Sequence, residues 1–173
     1  MIWNLDLSSR TGVTTKIMGH RRQTRSIAVQ ITKNFDSLSL NAAKLKKLVR
    51  AVCNRFKLRR ATVGIAVVND AEIRKINKRF RNRSSSTDCL SFDLSDDDPD
   101  SAKSFELIVN AERAVRQAAV RGHSAQAELA LYVTHALLHN LGFDDSDPKL
   151  AKKMHDTEDE ILQQLGFGIV YNT

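Results

Sequence analysis

Two histidines, His135 and His139, lie four residues apart in a segment, Ser124 to Leu141, that contains no Gly or Pro. Its apolar residues Leu129, Tyr132, Val133, Ala136, Leu137 and Leu141 recur at helical spacing, so it reads as a helix. The interval then puts both imidazoles on one face, one turn apart, where they can share a cation as in the His-Glu-x-x-His helices of zinc proteases. Gly142 stands where a left-handed C-cap would end the helix and turn the chain back. Asp145 falls three residues later. The spacing His-x-x-x-His-x-x-Gly-x-x-Asp offers a carboxylate as third ligand and leaves a fourth position for water, an open and catalytic kind of site. Position 136 is Ala, so the helix has no Glu to act as general base, and peptidase chemistry is disfavoured. The bland alternative is a pair of partly buried or surface histidines, and Gly142 and Asp145 at fitting positions weigh against it.

The elements around this helix follow from periodicity and caps. Ile27 to Ile31 alternates as a first strand, and Thr62 to Val68 is a β-branched, apolar, buried one. Between them, from about Ser39 to Phe56, Leu45, Leu48, Val49, Val52, Cys53 and Phe56 mark an amphipathic helix whose other face carries Lys44, Lys46, Lys47, Arg50 and Arg55. Asn69-Asp70-Ala71-Glu72 has the form of a capping box and opens a helix ending near Arg81, with Ile73, Ile76 and Phe80 inward. Its exposed residues are Arg74, Lys75, Lys78 and Arg79. Asn82 to Ser86 is a loop, Thr87 to Phe92 a short strand, and Asp93 to Asp100 an acidic, solvated loop without a calcium-loop pattern. Glu106 to Val109 is a further strand. Asn110 caps a helix that buries Ala114, Val115, Ala118 and Ala119 and breaks at Gly122. Asp147-Pro148 starts the last helix, with Leu150, Met154, Ile161 and Leu165 inward and a stop at Gly166.

Composition bounds the class. A chain of 173 residues with 42% hydrophobic residues makes one globular domain, here 26–173, preceded by a basic, mobile N-terminal extension over 1–25. Apolar runs such as Ile65 to Val68 are too short to span a bilayer, and residues 1–25 lack the apolar core of a signal peptide, so no membrane association and a cytoplasmic location are expected. Cys53 and Cys89 are far apart, which indicates neither a disulfide scaffold nor a cysteine zinc ribbon. The net charge of +7 hides an asymmetry: residues 1–83 carry 20 Lys and Arg against 4 Asp and Glu, whereas residues 84–173 carry 7 against 16. From Ser37 through Asn69 there is no acidic residue. Such unpaired positive charge favours a polyanion, foremost nucleic acid or a ribonucleoprotein surface.

From about Val63 to Leu165 the chain resembles the YbeY family of bacterial rRNA maturation factors, which are metal-dependent endoribonucleases. One block is Asn77-Lys78-Arg79-Phe80-Arg81 with Thr87-Asp88-Cys89-Leu90-Ser91-Phe92, similar to the family's Asn-x-x-Tyr-Arg and Thr-Asp-Val-Leu-Ser-Phe. The others are Gly122-His123-Ser124 and the stretch His135 to Asp145, similar to His-Gly-x-Leu-His-Leu-x-Gly-Tyr-Asp-His. The resemblance implies an α/β (α+β) fold with a small mixed sheet flanked by helices, a zincin-like metal helix, one zinc per chain, and work on rRNA and the small ribosomal subunit. It also implies that Arg81, at the position of the family's functional arginine, faces the metal cleft, where a guanidinium can hold a phosphate in a bidentate contact.

Two positions depart from the family pattern. Ala136 replaces a Gly, a small change on a helix, and Asp145 replaces the third His. A carboxylate is a legitimate zinc ligand, yet its charge makes the cation a weaker Lewis acid, and oxygen ligation widens the metal choice toward manganese. Asp144 matches the family's Asp and stays open as a substitute ligand, as does His155, although nothing in its spacing points it at the pair. Phe105-Glu106-Leu107 also departs, from the family's Leu-Gly-Asp. The leading expectation is a zinc-dependent endoribonuclease acting on single-stranded rRNA, with His135, His139 and Asp145 on the metal and Arg81 offsetting charge on the phosphate. A non-catalytic ribosome assembly factor with a degenerate metal site is the alternative. No general base and no oligomeric state are assigned.

Overall fold

A computed structural model describes residues 25–35, 38–98 and 100–171. The expected N-terminal extension, residues 1–25, lies outside the described residues but for Arg25. The element order is β1 (Ser26–Lys33), α1 (Ala42–Arg55), β2 (Arg60–Val68), α2 (Asp70–Arg81), β3 (Cys89–Asp93), β4 (Lys103–Asn110), α3 (Ala111–Arg121), α4 (Ala125–Asn140) and α5 (Pro148–Gln164).

The strands form one mixed sheet in the order β1-β2-β4-β3. β1 and β4 both run parallel to β2, while β3 pairs antiparallel with β4 at the edge, Ser91 opposite Leu107. Helical connections α1 and α2 make the parallel pairings possible, since parallel neighbours need a long crossover. On one face of the sheet Val63, Ile65, Val67, Phe105, Leu107 and Val109 pack into the main core with α1 and α4. On the other, Val68, Ile73 and Leu90 make a smaller core under α2. No helix among the described residues is long and apolar enough to cross a membrane.

The helix starts are set locally. Asn41, Asn69, Asn110, Ser124 and Asp147 each accept a hydrogen bond from a first-turn amide through the side chain, satisfying donors that a helix leaves unpaired. This is why α1 begins at Ala42 rather than near Ser39. Asn110 also ties the frame together: its Nδ2 donates to Asp70 Oδ1, to Ser86 Oγ and to the Thr87 carbonyl, and its amide to the Asp88 carbonyl. Asn77 Nδ2 donates to the Ser85 carbonyl at 2.9 Å. Both amide side chains are buried, so the loop between α2 and β3 is anchored at its far end to the protein interior.

Four inward assignments fail. Phe80, Val115, Ala119 and Leu150 are exposed, because α2, α3 and α5 bury narrower stripes than their apolar residues span. α4 departs in the opposite sense. It is buried nearly all round, with Leu129, Ala130, Val133, Ala136, Leu137 and Leu138 inaccessible, because it packs against β3, β4, α1, α3 and α5 together.

Candidate metal centre

α4 carries both histidines, and its last turn gives the third polar group its place. Leu141 is the C-cap, and Gly142 takes φ +87°, a left-handed conformation that costs little only for glycine. The reversal brings the Phe143 carbonyl to His139 Nδ1 at 3.1 Å and Asp145 back over the helix end. Asp145 Oδ2 then lies 3.7 Å from His135 Nε2, and its Oδ1 3.7 Å from His139 Nε2. The two Nε2 atoms are 3.1 Å apart.

The ring orientations carry a chemical consequence. His135 Nδ1 faces Glu158 Oε1 at 2.8 Å, and His139 Nδ1 faces a carbonyl oxygen. Both partners are acceptors, so both Nδ1 atoms are the N–H donors. In the neutral rings both Nε2 atoms therefore bear lone pairs, and these point at each other and at a carboxylate with no proton between them. A cation resolves that arrangement. Two nitrogens bound tetrahedrally at about 2.0–2.1 Å stand about 3.3 Å apart, close to the 3.1 Å found here. Two imidazoles and one carboxylate form a donor set suited to a first-row divalent ion such as zinc.

Glu158 is the group that inspection of the sequence missed. It lies 23 residues beyond His135, on α5, with no accessible surface. Its other oxygen accepts from His155 Nδ1 at 2.9 Å. With both oxygens taken by imidazole N–H groups, Glu158 supplies no general base, and none is assigned. Packing of α5 on α4 places Glu158 behind His135, and the His155 ring lies 6.3 Å from that of His135 and stacks on Tyr171. His135, His155 and Glu158 also form a cluster of metal-ligating types. There, however, the two carboxylate oxygens are already satisfied by imidazole N–H groups. Burial disfavours the charged form of His135, yet the hydrogen bond and charge of Glu158 outweigh this and hold its pKa above 6.5. The only sequence signal for such a partner is a Glu on the inward face of an amphipathic helix.

Asp144 turns away. Its oxygens accept from the Ser146 amide at 3.0 Å and the Ser146 hydroxyl at 2.6 Å, and these bonds lower its pKa. The cluster that contains both helix histidines takes in Asp145 and not its neighbour.

His135, His139 and Asp145 open onto a cleft of about 440 Å³. Arg81, the last residue of α2, lines its wall with Thr87, Asp88, Cys89 and Ser91. A second cavity of about 250 Å³ shares Asp88, His135 and Asp145 with it. Glu128 is buried there, with Arg121 Nη1 at 3.3 Å and His123 Nε2 at 3.0 Å. Burial first, and then the Glu128 carboxylate, push the Tyr132 phenol well above its usual range, so it stays a proton donor. Glu128, Tyr132, His135 and His139 thus make a polar stripe along the helix, about three turns that end at the candidate centre.

The basic residues divide into two groups. Those on α1 are largely tethered: Lys44 Nζ donates to the Gly166 carbonyl, Arg50 Nε to the Ile27 carbonyl, and Arg55 pairs with Glu160 at 2.6 Å. At the end of α2 and just beyond it, Lys78, Arg79, Arg81 and Arg83 are exposed and in no ion pair with a carboxylate among the described residues.

A family model described as Endoribonuclease YbeY matches residues 30–166. Endoribonuclease YbeY of Roseiflexus sp. (strain RS-1) is 39% identical over 112 residues, which span 60% of this chain and 70% of that protein. The protein of the same name from Carboxydothermus hydrogenoformans is 32% identical over 139 residues, 79% of this chain and 96% of that one. Among solved structures, the solution structure of TM1509 from Thermotoga maritima aligns with a TM-score of 0.53 at 21% identity, covering 79% of this chain and 90% of that one, a likeness of fold.

Proposed function

The chain belongs to the YbeY family, and from that premise we propose that it is a zinc-dependent, single-strand-specific endoribonuclease acting in rRNA maturation, on 16S rRNA of the small ribosomal subunit, in the cytoplasm. The observation that carries the reading is the convergence of two lone-pair-bearing Nε2 atoms and the Asp145 carboxylate at the mouth of a cleft walled by Arg81. His135, His139 and Asp145 hold one zinc per chain. When bound, the ion supplies a Lewis acid at the scissile phosphate.

The protein's own groups do the rest. Arg81 binds a non-bridging phosphate oxygen and offsets the charge that develops there. Glu158 and the Phe143 carbonyl keep the imidazoles in the tautomer that presents Nε2. Lys78, Arg79 and Arg83 attract the strand and make its binding salt-dependent.

The test is zinc content by elemental analysis of the parent, Asp145→Ala and Asp144→Ala, joined to cleavage of single-stranded and double-stranded RNA. One zinc in the parent and in Asp144→Ala, much less in Asp145→Ala, and single-strand cleavage that falls with the metal is the expected result. A parent that cleaves no RNA with any divalent metal, yet sediments with small ribosomal subunits, would instead establish the non-catalytic assembly factor.

A further inference from the structure

Phe80 is the one inward assignment of α2 that the fold reverses outright: 59% of its surface is exposed, at the penultimate position of the helix. An isolated exposed aromatic needs no explanation, but this one has an organised setting. Phe92, on the edge strand β3, meets it edge to face at 5.2 Å between ring centroids. The Arg79 guanidinium lies 5.4 Å from its centroid. The Phe92 carbonyl faces Asn140 Nδ2 of the histidine-bearing helix at 3.5 Å. The ring is thus braced by Phe92, has Arg79 over one face, and keeps more than half of its surface open.

Its neighbours in sequence complete the setting. Arg81, the next residue, lines the cleft beside His135 and His139. Lys78, Arg79, Arg81 and Arg83, within three residues of Phe80 in the chain, are exposed positive charges that no described carboxylate neutralises. An apolar protein partner gains nothing from four unpaired cations around its anchor. A single nucleic-acid strand uses both features, because its phosphates take the charge and its unstacked bases take the aromatic face. A duplex, with its bases already stacked on each other, has no use for the ring.

We propose that Phe80 is a stacking platform for a base of single-stranded RNA, next to the phosphate that Arg81 holds, and that it contributes the preference for single strands. The inference rests on the endoribonuclease reading and names a contact within it. Phe92 is then a positioning residue, since it sets the angle of the platform without touching RNA.

The experiment uses the full chain and a short oligoribonucleotide, single-stranded or annealed to its complement. The sequence contains one tryptophan, Trp3, so a Trp3→Phe, Phe80→Trp double variant reports on position 80 alone. Stacking quenches its fluorescence with the single strand and not with the duplex. Phe80→Ala weakens single-strand affinity, read by anisotropy, by about 5- to 150-fold. It leaves zinc content and duplex affinity unchanged, and the exposure of the ring keeps the fold intact. Anisotropy that shows single-strand binding with no quench, and with unaltered affinity in Phe80→Ala, overturns the platform and leaves the nuclease reading standing. Quenching by an RNA that is never cleaved supports the platform and overturns the nuclease reading. Absence of RNA binding by the parent overturns both.

Discussion

Replacing Glu158 by Gln tests whether the centre depends on a carboxylate that no metal would touch. Glu158 has no accessible surface and gives one oxygen to His135 Nδ1 at 2.8 Å and the other to His155 Nδ1 at 2.9 Å. The amide is the same size but has only one acceptor. Its NH₂ group must face one of two imidazole N–H groups, so one ring loses its partner or turns over. When that ring is His135, its Nε2 no longer presents a lone pair to the cation. Loss of such a partner weakens metal binding by about 10- to 100-fold, or about 1.4–2.7 kcal/mol. By linkage, the extra unfolding free energy conferred by saturating zinc falls by about the same 1.4–2.7 kcal/mol. The metal-free protein responds differently: above the raised titration range of His135, Gln removes a buried charge, and stability holds or rises. The assay is a zinc competition titration against a chromophoric chelator, with thermal unfolding of the metal-free and zinc-loaded forms. Zinc affinity within about threefold of the parent, together with a less stable metal-free form, would refute the reasoning and reduce Glu158 to a packing group.

The raised pKa of His135 gives a pH signature. In the metal-free protein the protonated His135–Glu158 pair contributes stability that is fully present below the unfolded value near 6.5 and is lost as pH rises through the higher folded value. Because zinc competes with that proton, its affinity climbs over the same window; NMR titration of the ring and zinc binding from mildly acid to mildly alkaline pH check both, and both effects should shrink in Glu158→Gln. Gly142→Ala isolates the turn: nothing lies within 4 Å of an added Cβ, so the left-handed backbone at φ +87° is the only cost. Chemical denaturation should show a loss of about 1–2 kcal/mol, with weaker zinc binding because the Phe143 carbonyl that fixes His139 belongs to the same turn.

The caps Asn69, Asn110, Ser124 and Asp147, the break at Gly122 and the turn at Gly142 were legible because each is decided by groups within about four residues of one another. The same locality makes the spacing of His135, His139 and Asp145 readable, since one helix and one turn bring them together. Periodicity also gives four strands and five helices. It does not say which apolar residue at the margin of a stripe the neighbouring element will cover. Phe80, Val115 and Leu150 therefore read as inward and are exposed, whereas α4 is enclosed on every side by elements drawn from the whole chain. Glu158 and His155 come to His135 only because α5 packs against α4, and Arg81 and Ser91 reach the cleft only because β3 closes the sheet edge beside it. The sequence by itself placed His135 and His139 on one helix face with Asp145 just past the turn, and left Asp144 and His155 open beside it. Which tautomer those donors present, what lies behind them, and which aromatic ring stays in water depend on contacts between residues distant in the chain, and only the tertiary structure decided them.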